Sequence, residues 1–199
     1  MDFCFGCIVE GQGESSAVPI LVRRVAAEVD ASIRARIVIA RHPRHALLRD
    51  GELERAVQAL SYRLRGRSGI IVLLDSDDEP ACTLGPALLR RAKGVRPDIG
   101  TRVVLARREY EAWFLAAAES IAGKSGLLPN LSPPQDPELI RGAKEWLTRN
   151  MEAGQVYSPT RHQSAFTAQF DLAAARGAKS FDKFCRDVRS LILEVRRVE

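Results

Sequence analysis

The sequence has no apolar run approaching the length of a membrane span, and its first residues lack the basic segment that opens a secretory leader. Those two absences make a cytoplasmic location without a membrane partner the expectation. Cysteine occurs four times, at positions 4, 7, 82 and 185, and histidine three times, at 42, 45 and 162. Cys4-Phe5-Gly6-Cys7 has the spacing of a redox or zinc pair but lies in a strand-like run, where alternation sends the two thiols to opposite faces. No second pair of cysteines or histidines completes a zinc site. Buried structural thiols are the reading. Gly11-Gln12-Gly13-Glu14 lacks the lysine of a P-loop and the third glycine of a dinucleotide fingerprint, which argues against ATP or NAD at that turn. There is no internal repeat.

What is present suits one well-buried core of 199 residues, 46% hydrophobic and 28% charged. The net charge is +5, and residues 21–67 hold 11 arginines against 5 acids. A basic surface of this kind fits a polyanionic partner such as nucleic acid. A solvated arginine-rich surface fits the same count.

Strand and helix alternate through the first half. Residues 3–9 read as a strand, followed by a helix capped by Ser15 or Ser16, with Pro19 in its first turn and Val18, Leu21, Val22, Val25 and Val29 on one face. Residues 33–39 alternate as a strand with one solvent-facing side. Arg41-His42-Pro43-Arg44-His45 makes a basic loop, and a helix follows over about 52–65. Ile70-Ile71-Val72-Leu73-Leu74 reads as a strand covered on both faces. A short helix near Pro86 and a fourth strand around 102–106 complete a parallel α/β pattern. Beyond Glu109 the pattern becomes helical. Tyr110, Trp113, Phe114, Ala117 and Ile121 share one face, and a proline-rich loop spans 125–137. Helices are expected at about 138–150, 162–175 and 180–197, the last capped by Ser180. The expected organisation is an α/β core over 1–122 with a helical appendage over 123–199 packed on it, and homodimerisation through the apolar carboxyl-terminal helices is one arrangement open to the chain.

Two strands end abruptly in carboxylates: Ile8-Val9-Glu10-Gly11-Gln12-Gly13-Glu14, and Leu73-Leu74-Asp75-Ser76-Asp77-Asp78-Glu79. In an open parallel sheet ligands bind beyond the carboxyl ends of the strands, so these acids should meet although about 65 positions separate them. Clustered carboxylates suit Mg²⁺ or Mn²⁺. Glu10, Glu14, Asp75 and Asp77 supply enough oxygens for one or two ions, more if Glu111 joins from beyond the fourth strand. Glu10 fits equally a general acid or base. Each acid also has a plainer use: Glu14 at a helix amino terminus, Asp75, Asp77 and Asp78 in a turn, Glu109 and Glu111 as solvated first-turn acids. Arg41, Arg44 and Arg161 are candidate phosphate contacts. Tyr157, His162 and Gln163 suit either substrate contact or packing and capping.

The strand–Glu-Gly and strand–Asp-x-Asp pair resembles the TOPRIM fold of type IA topoisomerases, bacterial primases and OLD-type nucleases. The resemblance implies a Rossmann-like parallel sheet, Asp75 and Asp77 as Mg²⁺ ligands, and Glu10 in proton transfer or metal binding. Glu14 reproduces a Glu-Gly-x-x-Glu spacing similar to that of the OLD-type nucleases. Arg108-Glu109-Tyr110-Glu111-Ala112-Trp113-Phe114 and Ser180-Phe181, with the two acidic segments, resemble a bacterial family, the domain-of-unknown-function 4276 family, over nearly the whole chain. A topoisomerase tyrosine setting and a primase zinc module are both missing. The expectation is therefore a metal-dependent TOPRIM nuclease, with anti-phage defence as its setting. The alternative is a non-catalytic or partner-dependent subunit served by a separate ATPase, since OLD-type nucleases carry an ATPase that this sequence lacks.

Overall fold

The computed structural model describes residues 1–196. Four strands, β1 (Asp2–Val9), β2 (Arg34–Arg41), β3 (Ser68–Asp75) and β4 (Gly100–Ala106), form one all-parallel sheet in the order β2-β1-β3-β4. β1 and β3 are central and buried on both faces, which is why they read as unbroken apolar runs. β2 is an edge strand, and its charged positions face water.

Alternation sorts the side chains into two cores. Phe3, Phe5, Cys7 and Val9 face α1 (Gln12–Val29) and the carboxyl-terminal helices; Cys4 and Ile8 face the opposite layer. Cys4 and Cys7 are buried free thiols on opposite faces, and burial raises the pKa of Cys7. The second layer contains α2 (Arg44–Leu47), α3 (Glu52–Ser61) and α4 (Ala81–Val95). The chain is thus a Rossmann-like α/β fold, an all-parallel sheet between helical layers. No helix among the described residues is long and apolar enough to cross a membrane.

Several local expectations shift. α1 begins at Gln12, not after Ser15, because Gly11 is the N-cap; Pro19 then lies in the helix interior, where it removes one backbone hydrogen bond. The basic loop contains the single turn α2. α4 runs for 15 residues with Pro86 inside it. The expected helix over 110–121 breaks at Ala117 into α5 (Ala112–Ala116) and α6 (Ala118–Ile121). A 3₁₀ turn (Pro137–Leu139) precedes α7 (Ala143–Arg149), the two separated by Gly142 at φ 73°. The 162–175 helix resolves into a π turn (Pro159–Gln163), α8 (Ser164–Gln169) and α9 (Leu172–Ala175). Asp171 restarts the chain there by accepting the amides of Ala173 and Ala174.

The last helix, α10, spans Lys179–Arg196; position 197 of the expected span lies outside the described residues. Ser180 is inside α10 and not its cap. Its hydroxyl accepts from Trp113 Nε1 at 2.8 Å and from the Arg107 amide at 3.2 Å, tying α10 to the segment after β4. Trp113 packs between Tyr110, Phe181 and Phe184, and Phe114 between Phe166 and Phe170. These rings belong to the same core as Phe5 and Val9, so the carboxyl-terminal helices and one sheet face share one hydrophobic cluster.

Candidate functional site

In this strand order the chain leaves β1 toward β2 on one side and later returns to β3 on the other. The carboxyl ends of β1 and β3 therefore flank the topological switch point, where a doubly wound sheet opens a crevice. Glu10 follows β1 and Asp75 ends β3. They meet there: the Asp75 amide donates to Glu10 Oε1 at 2.6 Å. Asp75 Oδ1 in turn accepts the Tyr110 amide at 2.8 Å, which ties β3 to the segment beyond β4.

Glu14, one turn into α1, folds back on the same loop. Its Oε2 accepts the amides of Glu10 and Gly11 at 2.9 and 3.1 Å, one half of a capping box. The helix-terminus role is thus filled, with the carboxylate still beside the other acids. Gly13 is needed for space, since a Cβ there would stand 2.7 Å from the Pro159 carbonyl oxygen.

The crowding shows in proton affinity. Burial pushes the Glu10 carboxyl up to about 7, with Glu14 and Asp77 adding to the rise and the Asp75 amide and Arg44 opposing it. Burial raises Asp75 well above the ordinary carboxylate range, helped by Glu14, Glu111 and Glu10. Glu111 rises for the same first reason, against the pull of Lys144.

Of the acids after β4, Glu109 is half-buried and Glu111 is buried. Glu109 Oε2 accepts the amides of Ala143 and Lys144 and so caps α7 from outside it. Glu111 is 1% exposed; its Oε1 accepts from Tyr157 Oη at 2.9 Å and Gln163 Nε2 at 3.4 Å. Its Oε2 has no hydrogen bond, with Lys144 Nζ 3.5 Å away. Lys144 also bonds Glu109 at 3.0 Å. Burial favours its neutral form, but Glu111, Asp75 and Glu109 outweigh that and hold it as the ammonium. Nothing local marked Lys144 in the sequence; only the return of α7 over the strand ends places it here.

Asp77, Asp78 and Glu79 lie outside this group, on an arginine-braced loop. Arg44 spans Asp77 at 3.3 Å and Glu79 at 2.5 Å, while Arg108 and Arg141 hold Asp78 at 2.8 and 3.0 Å. Asp77 and Arg108 both adopt positive φ, 49° and 62°, and are joined by the Asp77 amide to the Arg108 carbonyl. Two non-glycine residues in the left-handed region mark a loop whose shape its partners impose.

Some of these residues line one cleft of about 610 Å³: the acids Glu10, Glu14, Asp77 and Glu111, with Arg44, Lys144, Thr160 and Gln163; Asp75 is not among its lining residues. Of the expected contacts, Arg44 reaches the cleft; Arg41 and Arg161 are not among its lining residues. Tyr157 and Gln163 brace Glu111, and His162 Nδ1 accepts the Ser158 amide at 2.9 Å within the π turn.

The oxygen-only donor set and the unbonded Glu111 Oε2 are what a hard divalent cation would relieve. Among the described residues, no group of three or more His, Cys, Asp or Glu side chains already converges as ligands. Mg²⁺ is commonly held by one or two carboxylates with water and substrate oxygens completing the shell, so Glu10 and Asp75 suffice.

No curated protein and no solved structure matches the chain. One family model does, described as Domain of unknown function (DUF4276), over residues 9–189, from the end of β1 into α10. The match covers both acidic strand ends, the Glu109–Phe114 segment and Lys144, and the chain belongs to the DUF4276 family.

Proposed function

We propose that the cleft is the active site of a TOPRIM-like nuclease using Mg²⁺ or Mn²⁺ to cleave phosphodiester bonds. One observation carries the reading: Glu10, on the wall of an open cleft, is bonded to the Asp75 amide at the switch point of a parallel sheet. Glu10 and Asp75 would hold the cation, with Asp77 lining the same cleft as Glu10. When bound, the cation neutralises charge on the transferring phosphoryl group and acidifies a coordinated water. The Tyr110 amide fixes the rotamer of Asp75, and the Asp75 amide fixes that of Glu10. Glu14 holds the Glu10–Gly11 backbone in place. Lys144 and Arg44 put two cationic heads beside the acids, where a phosphate can exchange into their ion pairs.

The test is calorimetry with Mn²⁺ and Mg²⁺ alongside plasmid nicking, comparing wild type with Glu10→Gln/Asp75→Asn. Both substitutions keep the hydrogen-bond acceptors, so the fold is expected to survive. Binding and nicking should vanish together. Full metal-dependent nicking by the double variant would sink the proposal.

A second reading is favoured by the internal ion pairs of the site. Arg44 and Lys144 already balance Asp77 and Glu111, as in a fold kept for assembly with a separate ATPase. It predicts no metal binding at millimolar concentration and recovery of an ATPase in a pull-down. Tight metal binding by the isolated chain would count against it.

A further inference from the structure

At the opposite end of the sheet lies a second concavity, of about 620 Å³. Five arginines line it, Arg23, Arg34, Arg36, Arg65 and Arg67, with Asp2 as its one acid. Six arginines outside it, Arg44, Arg91, Arg96, Arg102, Arg108 and Arg176, each bond a carboxylate. In the groove, Arg23 donates to the carbonyls of Ala35 and Pro19, and Arg65 to those of Tyr62 and Leu64. These bonds orient a guanidinium without cancelling its charge. Arg34 and Arg36 form no ion pair with a carboxylate among the described residues. Like charges gathered in one concavity repel, and a polyanion relieves that repulsion.

The spacing narrows the ligand. Arg34 and Arg36 alternate along the edge strand, so their side chains leave the same face of β2 roughly 6.6 Å apart. Arg65 and Arg67 flank Gly66, in a turn fixed to β1 by the Cys4 amide donating to the Arg67 carbonyl at 2.8 Å. The cations thus stand in two pairs on braced backbone, a layout for a repeating anion and not for one ion.

We infer that this groove anchors a nucleic-acid backbone. It is a separate site from the carboxylate cleft. β1 and β2 pair in register from Asp2↔Arg34 to Val9↔Arg41, so the groove lies about 26 Å from Glu10 along the sheet. The inference stands whether or not the cleft cleaves anything.

The experiment is fluorescence anisotropy of the full chain with labelled 20-mer DNA and RNA, single-stranded and duplex, in EDTA across a salt series. Arg34→Ala/Arg36→Ala should weaken binding roughly tenfold and make the slope of log K against log salt shallower by about 2 for duplex. Arg65→Ala/Arg67→Ala should act alike, and melting curves show that each variant is folded. Arg55→Ala/Arg186→Ala removes equal charge from arginines paired with Glu52 and Asp182 and should stay within about twofold of wild type. Any of four results overturns the inference: no binding by wild type at low salt, unchanged binding by both groove variants, equal loss in the Arg55/Arg186 variant, or displacement by inorganic phosphate as effective as by oligonucleotide at equal phosphate.

Discussion

Two groups of carboxylates leave the same edge of the sheet a few residues apart and come to opposite ends. Glu10 and Asp75, with Glu14 and Glu111 beside them, are drawn inward, where burial and mutual repulsion raise their affinity for protons. Asp77, Asp78 and Glu79 stand outward and are neutralised by Arg44, Arg108 and Arg141. In the sequence Asp75-Ser76-Asp77-Asp78 looks like one acidic cluster. The fold divides it: Asp75 is the last residue of a central strand, and the next residues turn out over α4. The inner acids hold charge that Lys144 and Arg44 offset only in part, whereas the outer acids spend theirs on shaping a loop.

The widest separation between the groups should appear in metal-dependent cleavage. Asp75→Ala or Glu10→Ala should lower nicking by at least about 100-fold, as loss of a metal-holding carboxylate does. Asp78→Ala should stay within about twofold. Equal losses from Asp75 and Asp78 would erase the distinction.

Next is the brace on Glu111. Tyr157→Phe deletes the hydroxyl bonded to the buried Glu111 carboxylate and should cost about 1–3 kcal/mol, read from the urea midpoint. A midpoint equal to wild type would mean that Glu111 does not need that donor.

A smaller, signed effect concerns Glu10. Burial pushes its folded pKa up to about 7 from the ordinary 4.5, so the folded state binds more protons between those values. Metal-free stability should therefore fall as pH rises from about 4.5 to 7. Glu10→Gln removes that loss. Because Glu10 is part-exposed and screened, the variant should gain about 1 kcal/mol over wild type at pH 8, with no gain at pH 4. Melting curves at the two pH values decide it, and a gain at pH 4 alone would reverse the sign.

The smallest change should come from Arg141→Ala, which takes one of two arginines from the fully exposed Asp78. The melting temperature should not move measurably, and added salt should hide any residue of the effect. A clear drop would show that the outer loop, too, is under load.

The sequence by itself determined the parallel sheet and the two acidic strand ends. Those follow from local physics: two-sided apolar runs make central strands, and carboxylates after them are ejected at the sheet edge. The sequence reading also placed Cys4 and Cys7 on opposite faces by strand alternation. It did not determine the helix breaks at Ala117, Gly142 and Asp171, because breaks in short amphipathic segments depend on what each turn packs against. Nor did it separate the plain and chemical readings of Glu14 and Glu111. Tertiary structure settled where those side chains go: Glu14 caps α1 within reach of Glu10, and Glu111 is buried because α7 and the π turn fold over it. Lys144 and the arginine groove were decided the same way. The charges that meet there come from separate segments of the chain, and the order of the strands and the return of α7 bring them together.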